Sequence, residues 1–250
     1  PYDRDRKSSN TVVMVKELGA GDHSVGGRFC SNWAGETVTI DERQLAVFLF
    51  SGTSYHFIRS TTPVNTASTT FVDDTEAIQN FDLASDMLAL IVYNAGCEHD
   101  DVNSTSGTKY AIEVDGTDVA QQHQGPPYAN YKNGGTVVHM EILGAGGHTV
   151  KGRFAACLEA TVTIRERQLA ILLFPNNQLY DFVRSTVTVT PSSAALVDDP
   201  QAIVNRNLPD TRQVLIIYNP TKYCGTTSVH EELKAGINVD GADVSLTGQS

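Results

Sequence analysis

Apolar residues in this chain recur mostly with the period of two that strands require. Residues 11–15 and 37–40 are rich in β-branched residues and read as strands of period two, and residues 55–61 alternate more clearly. Residues 45–50 and 88–93 are short continuous apolar runs, the pattern of strands covered on both faces. Residues 109–114 end at Asp115-Gly116, a hairpin-turn signal, and Gly19-Ala20-Gly21 and Gly26-Gly27 mark tight turns. One short helix is expected at Asp73-Asp74-Thr75-Glu76, where a capping acid is followed three residues on by Glu76 and then by Ala77, Ile78 and Phe81. Asp198-Asp199-Pro200-Gln201 has the same form, with Pro200 in the first turn. The paired aspartates therefore read as caps before they read as calcium ligands or catalytic acids.

The pattern occurs twice. Thr11-Val12-Val13, Leu18-Gly19-Ala20-Gly21, His23 and Gly27-Arg28-Phe29 return 125 positions later as Thr136-Val137-Val138, Leu143-Gly144-Ala145-Gly146, His148 and Gly152-Arg153-Phe154. Glu42-Arg43-Gln44-Leu45-Ala46 returns as Glu166-Arg167-Gln168-Leu169-Ala170, and Phe57, Arg59-Ser60-Thr61 as Phe182, Arg184-Ser185-Thr186. Val72-Asp73-Asp74 recurs as Val197-Asp198-Asp199, and Val114-Asp115-Gly116 as Val239-Asp240-Gly241. The chain is a tandem duplication. The expected organisation is a tail at 1–10, a repeat domain at 11–121, a linker at 122–135 and a second repeat domain at 136–250. The expected fold is mainly β: an antiparallel, β-sandwich-like domain with one short helix, used twice. The linker assignment rests on Gly125-Pro126-Pro127 and Asn133-Gly134-Gly135, a stiff piece followed by a flexible one.

Four cysteines add a compartment. Cys30 to Cys97 and Cys157 to Cys224 are both separated by 67 positions, although the individual cysteines are shifted by two between the copies. Both partners of a bridge must shift together, so the spacing predicts Cys30–Cys97 and Cys157–Cys224. Each bridge would contribute roughly 4 kcal/mol in the chain-entropy model. Disulfides imply an oxidising compartment and hence a secreted, extracellular protein. The glycosylation sequon at Asn103-Ser104-Thr105 agrees with that. The chain opens at Pro1 rather than Met, which points to processing or trimming.

Composition then narrows the function. Eighteen Lys+Arg against 29 Asp+Glu give a net charge of -11, which argues against a nucleic-acid or anionic-membrane partner. No apolar run approaches the length of a membrane-spanning helix. Neither a phosphate loop, a dinucleotide fingerprint nor a zinc-binding pattern is present, so no metal and no cofactor is expected. His23 and His148 hold equivalent turn positions. Asp22-His23-Ser24 invites a triad reading, but Gly147-His148-Thr149 lacks the acid, and a turn histidine bonded to backbone fits both copies. Arg28 and Arg153, Arg59 and Arg184, and Arg43 and Arg167 recur as either carboxylate or sugar binders or as ion pairs that pin strands. The acidic cluster Glu98-His99-Asp100-Asp101 reads as a cation site or as a solvated loop. Trp33 reads as packing against the Cys30 bridge or as a sugar-stacking platform. The ligand-binding candidates are His23, Arg28, Trp33, His148 and Arg153.

The Leu18-Gly19-Ala20-Gly21…Gly27-Arg28-Phe29 stretch is followed by 44–50 and Tyr55-His56-Phe57, the acidic start at Asp73, and Leu88-Ala89-Leu90-Ile91-Val92-Tyr93-Asn94. In that order these segments resemble the interleukin-like EMT-inducer (ILEI) domain family. The resemblance covers roughly the first eighty residues of each copy. Phe57-Ile58-Arg59 and Phe182-Val183-Arg184 stand where the family has Phe-Asp-Thr, and the family's later helix and tryptophan-bearing closing segment are missing. The resemblance implies a secreted, non-catalytic β-sandwich that signals or binds glycans, and it carries no functional residue over. The expectation is therefore a non-catalytic secreted protein that binds an extracellular glycan or protein partner. The alternatives are a self-associating storage or egg-fluid protein or carrier of a bound apolar pigment, and a hydrolase.

Overall fold

The computed structural model describes residues 54–99, 107–124, 132–157, 161–176, 200, 202–203, 217, 233–239 and 242–249. Within them the chain is antiparallel β-sheet, as the period-two patterning predicts, and no helix occurs among the described residues. One sheet orders β1 (Ser54–Ser60), β9 (Val162–Pro175), β4 (Met87–His99) and β7 (Lys132–Leu143), with the short β2 (Val64–Thr66) also pairing β9. A second sheet orders β3 (Val72–Leu83), β8 (Gly146–Ala156), β5 (Thr108–Val114) and β6 (Thr117–Gln124). The last pair, β10 (Leu233–Val239) and β11 (Ala242–Gln249), forms a separate hairpin.

The two larger sheets share one core. Ala89, Ile91, Tyr93, Ala95 and Cys97 alternate along β4 into it, and Val150, Phe154 and Ala156 do so along β8. Leu88, Leu90 and Val92, on the opposite face of β4, are also buried, which accounts for the unbroken apolar run in the sequence. Two tyrosines set the fit. The ring of Tyr93 lies where a side chain on Gly152 would be, with Cε2 only 2.4 Å from an added Cβ, and Tyr110 fills the same space at Gly135, also at 2.4 Å. Asp115, at φ 49°, and Gly116, at φ 85°, make the two-residue turn from β5 to β6 that the Asp-Gly pair predicts.

The expected helix at Asp73 is a strand. Asp74, Ala77 and Phe81 are buried at a spacing that imitates a helix face, but a wide irregularity in the β3–β8 register between Asp73 and Ile78 produces it. The Asp74 carboxylate does take the Glu76 backbone N–H, at 3.3 Å, as a cap would; here the bond closes a bulge. The equivalent start at Asp198-Asp199 lies outside the described residues, apart from Pro200 in a turn.

The sheets mix the two sequence copies. Strand β4 from the first copy lies between β7 and β9 from the second. Strand β1 pairs β9, and β3 and β5 both pair β8. Of the expected linker, residues 122–124 end β6 and 132–135 begin β7, while 125–131, like the tail at 1–10, lie outside the described residues.

Candidate functional site

The polar residues that recur in both copies meet across the copies. In the core, Arg167 of β9 and Asp74 of β3 have fully buried side chains, with Nε 2.8 Å from Oδ2. Tyr93 donates its hydroxyl to the same carboxylate at 2.8 Å. Arg167 also donates to the carbonyls of Thr62, at 2.5 Å, and Ile164, at 2.8 Å. Burial raises the Asp74 pKa, and Arg167 and the Tyr93 hydroxyl pull against it. The Arg167, Asp74 and Tyr93 side chains are all buried, so their chemistry is structural.

Arg153 lies on the outer face of β8 with Lys151. It contacts Asp73 (3.1 Å), Glu113 (3.2 Å) and Asp118 (2.8 Å), and donates to the Phe71 carbonyl (2.8 Å). Lys151 reaches Asp73 at 3.0 Å and Glu113 at 2.8 Å. Both cations are spent on carboxylates of the neighbouring strands. Arg153, a candidate ligand residue in the sequence, thus sits in a strand-pinning ion network.

His148 sits at the other end of β8 and faces the opposite way. Its Nδ1 lies 2.7 Å from Asp115 Oδ2 and its Nε2 lies 2.8 Å from the Gly144 carbonyl. Both partners accept only, so both nitrogens are satisfied when the ring is an imidazolium that donates from each. Burial lowers the His148 pKa, but the bonds to Gly144 and Asp115 outweigh it and the net direction is up. Asp115 is held down: burial would raise it, but the Thr149 backbone N–H and His148 prevail.

His148 also tilts against Phe81, with ring centroids 5.9 Å apart, and Phe81 stacks on His56 at 4.5 Å. Burial lowers the His56 pKa, the opposite direction to that of His148. This row of three rings underlies two open depressions at one end of the molecule. One, of about 290 Å³, is lined by Asn80, Phe81, Asp82, Gly147, His148 and Thr149. The other, of about 390 Å³, is lined by Ser54, Tyr55, His56, Asp82, Leu83 and Leu173. Asp82 borders both, so they adjoin as one shallow groove with amide, hydroxyl and carboxylate groups at its rim, while Phe81, 8% exposed, lies beneath it in the core.

Of the candidates read from sequence, His148 borders the groove and Arg153, four positions beyond Thr149 along β8, is held in the ion network instead. His23, Arg28, Trp33, Cys30, Cys224 and Asn103 lie outside the described residues. Each predicted bridge, Cys30–Cys97 and Cys157–Cys224, has one partner there, and the described residues contain no disulfide. The sequence reading missed Phe81, His56, Asn80 and Asp82. A helical assignment for 73–81 hid the alternation that turns Phe81 and its neighbours to opposite sides.

No protein-family model matches this chain, and no curated protein matches it. Among solved structures, "Structure of infectious bursal disease virus Gx strain" is similar over 51% of this chain and 33% of that chain, at 11% identity and a TM-score of 0.33. "Structure of infectious bursal disease virus Gt strain" is similar over 57% of this chain and 47% of that chain, at 11% identity and a TM-score of 0.22. The chain thus spans less than half the length of either.

Proposed function

We propose that this chain is a secreted, non-catalytic binding protein whose groove over His56, Phe81 and His148 takes a hydroxyl-rich ligand, a glycan. The observation that carries the reading is the groove's composition. The exposed Tyr55 beside His56 offers an aromatic surface for a sugar ring, and Asn80, Asp82 and Thr149 stand near it as hydrogen-bonding groups. The neighbouring arginine and lysine are occupied by carboxylates, which disfavours an anionic ligand. The binding rather than catalytic reading rests on His148. Both of its nitrogens are engaged by acceptors, so it has no lone pair to serve as a general base. The Thr149 hydroxyl donates to Asn80 at 2.7 Å and not to a base.

A shallow open groove predicts weak binding, on the order of millimolar, or about 4 kcal/mol. Titration of the full chain with a panel of neutral oligosaccharides, followed by NMR, should move the resonances of Tyr55, Asp82 and His148 first. Tyr55→Ala, at an exposed residue of the groove, should weaken that binding at least tenfold while preserving the fold. Silence of the groove resonances across the panel, or equal binding by Tyr55→Ala, would overturn the assignment.

A further inference from the structure

The hairpin β10–β11 is a second β5–β6. Its limits, Leu233–Val239 and Ala242–Gln249, are those of Thr108–Val114 and Thr117–Gln124 moved by the repeat length of 125. The register moves with them. Thr108 faces Gln124 and Leu233 faces Gln249; the ladder slips between Ile112 and Glu113 in one hairpin and between Ile237 and Asn238 in the other. Yet the two hairpins are built into different surroundings. The outer edge of β5 is covered by β8, whereas among the described strands β10 pairs with β11 alone. The first-copy equivalent of β8 is residues 21–31, in which Gly21, His23, Val25, Gly27, Arg28 and Phe29 match Gly146, His148, Val150, Gly152, Arg153 and Phe154.

We propose that residues 21–31 of the same chain dock along the outer edge of β10, so that the duplicated sequence folds as two interleaved units, each made from half of one copy and half of the other.

Charge complementarity supports the occupant. In the described unit the second copy supplies the cations His148, Arg153 and Arg167, and the first copy supplies their partners Asp115, Asp73, Asp118 and Asp74. The remaining halves hold the matching set. His23, Arg28 and Arg43 stand in the first, and Asp198, Asp199, Asp240 and Asp243 in the second. Tethering selects the chain's own segment over that of a second copy. Ser54, the first residue of β1, faces Leu173, and β9 ends two residues later at Pro175. The chain before β1 and the chain after β9 therefore leave the described unit at one corner. Two pieces tethered so closely meet at an effective concentration on the order of millimolar.

The ladder fixes the test. Val114 faces Val150, so the docked segment should bring Val25 opposite Val239. Facing residues of an antiparallel pair lie about 4.5–5.5 Å apart at Cα, within disulfide range. The full chain carrying Val25→Cys and Val239→Cys should oxidise, with glutathione disulfide accepting the two electrons and two protons, to an intramolecular bridge in a monomer. Val114→Cys with Val150→Cys should do the same as the described reference. Val25→Cys with Val114→Cys should remain unjoined; a bridge there would mean that each copy folds on itself, and it overturns the proposal. A 25–239 bridge found only between chains, as linked dimers, overturns the choice of occupant. Absence of any 25–239 bridge while 114–150 forms overturns the docking itself. Hydrogen exchange on the unmodified protein covers the case in which the variants fail to fold. Residues 233–239 should be protected within about tenfold of residues 108–114, and full exposure of the outward amides of β10 overturns the proposal.

Discussion

Arg167→Met is the substitution that most directly probes why this sandwich holds together. Arg167 and Asp74 are fully buried and in contact at 2.8 Å. At an effective dielectric of 20 the attraction at that distance is about 6 kcal/mol, while removing each ion from water costs several kcal/mol. The pair as a whole therefore comes out near zero, but either member alone does not. Removing the guanidinium strands a buried carboxylate and takes donors from the Thr62 and Ile164 carbonyls. The expected loss is about 4 kcal/mol, a third or more of the stability of a typical domain. Urea unfolding followed by circular dichroism at pH 7 measures it. The combined Asp74→Ala/Arg167→Met variant should be more stable than the sum of the single losses allows, with a coupling of about 2 kcal/mol or more. The pH dependence has a definite sign. The folded-state pKa of Asp74 lies above its ordinary value of 3.8, so the folded state binds that proton more tightly. The resulting stability is present below the ordinary value and is lost as pH rises through the folded one. Without Arg167 the folded pKa climbs further, so the deficit of Arg167→Met should be smaller at pH 4 than at pH 7. A loss under about 1 kcal/mol at pH 7, or strict additivity in the double variant, would refute the account.

Three further outcomes follow from the same structure. The His148 imidazole should titrate above 6.5 by NMR and return toward that value in Asp115→Asn. The stabilisation from its raised pKa is complete below about 6.5 and fades as pH rises through the folded value, so unfolding midpoints should fall across that window more in the parent than in Asp115→Asn. Asp115 contributes the converse at acid pH. Its depressed pKa stabilises above the ordinary carboxylate value and is lost as pH falls through the folded one, which should show as a steeper acid limb in the parent than in Asp115→Asn. Gly152→Ala should cost about 2–3 kcal/mol in chemical unfolding, because the new methyl meets the Tyr93 ring at 2.4 Å and that ring is held by its bond to Asp74.

Much of this was readable from sequence, and the rest failed for identifiable reasons. Period-two patterning and the unbroken apolar run at 88–93 marked the strands and their burial, and Asp115-Gly116 marked its turn. The segment at 72–83 was misread because a bulge places Asp74, Ala77 and Phe81 at the spacing of a helix face, and because Asp74 bonds to Glu76 much as a helix cap bonds to the residues after it. Local hydrogen bonding is shared by caps and bulges, and the tertiary partner Arg167, distant in sequence, decides between them. The groove followed from the same error. Once Phe81 is placed on a strand, its neighbours Asn80 and Asp82 turn outward beside it. His148 was legible as a recurring turn histidine, and its Gly144 contact fits that; its partner Asp115 had shown itself only as a turn residue.

The pairing of repeats explains why internal comparison alone left the chain's assembly open. Residues kept in both copies state that His148 needs an aspartate of the Asp115 type, and Arg167 one of the Asp74 type. They do not state whether the partner comes from the same copy or the other, since both arrangements satisfy identical contacts. The equal spacing of 67 between Cys30 and Cys97 and between Cys157 and Cys224 has the same ambiguity. In the described unit the Thr108 hydroxyl meets the Cys97 sulfur at 3.2 Å, Thr108 faces Ala156, and the Cys157 backbone N–H bonds to the Gly107 carbonyl at 2.9 Å. Those contacts bring the surroundings of Cys97 and Cys157 together across the copies. An interleaved chain therefore puts Cys157 near Cys97, whereas two self-contained copies would put Cys30 there. Peptide mapping of the unreduced native protein separates these topologies without any substitution. A Cys30–Cys97 bridge would favour independent copies and count against the interleaved units, and a Cys97–Cys157 bridge would do the reverse.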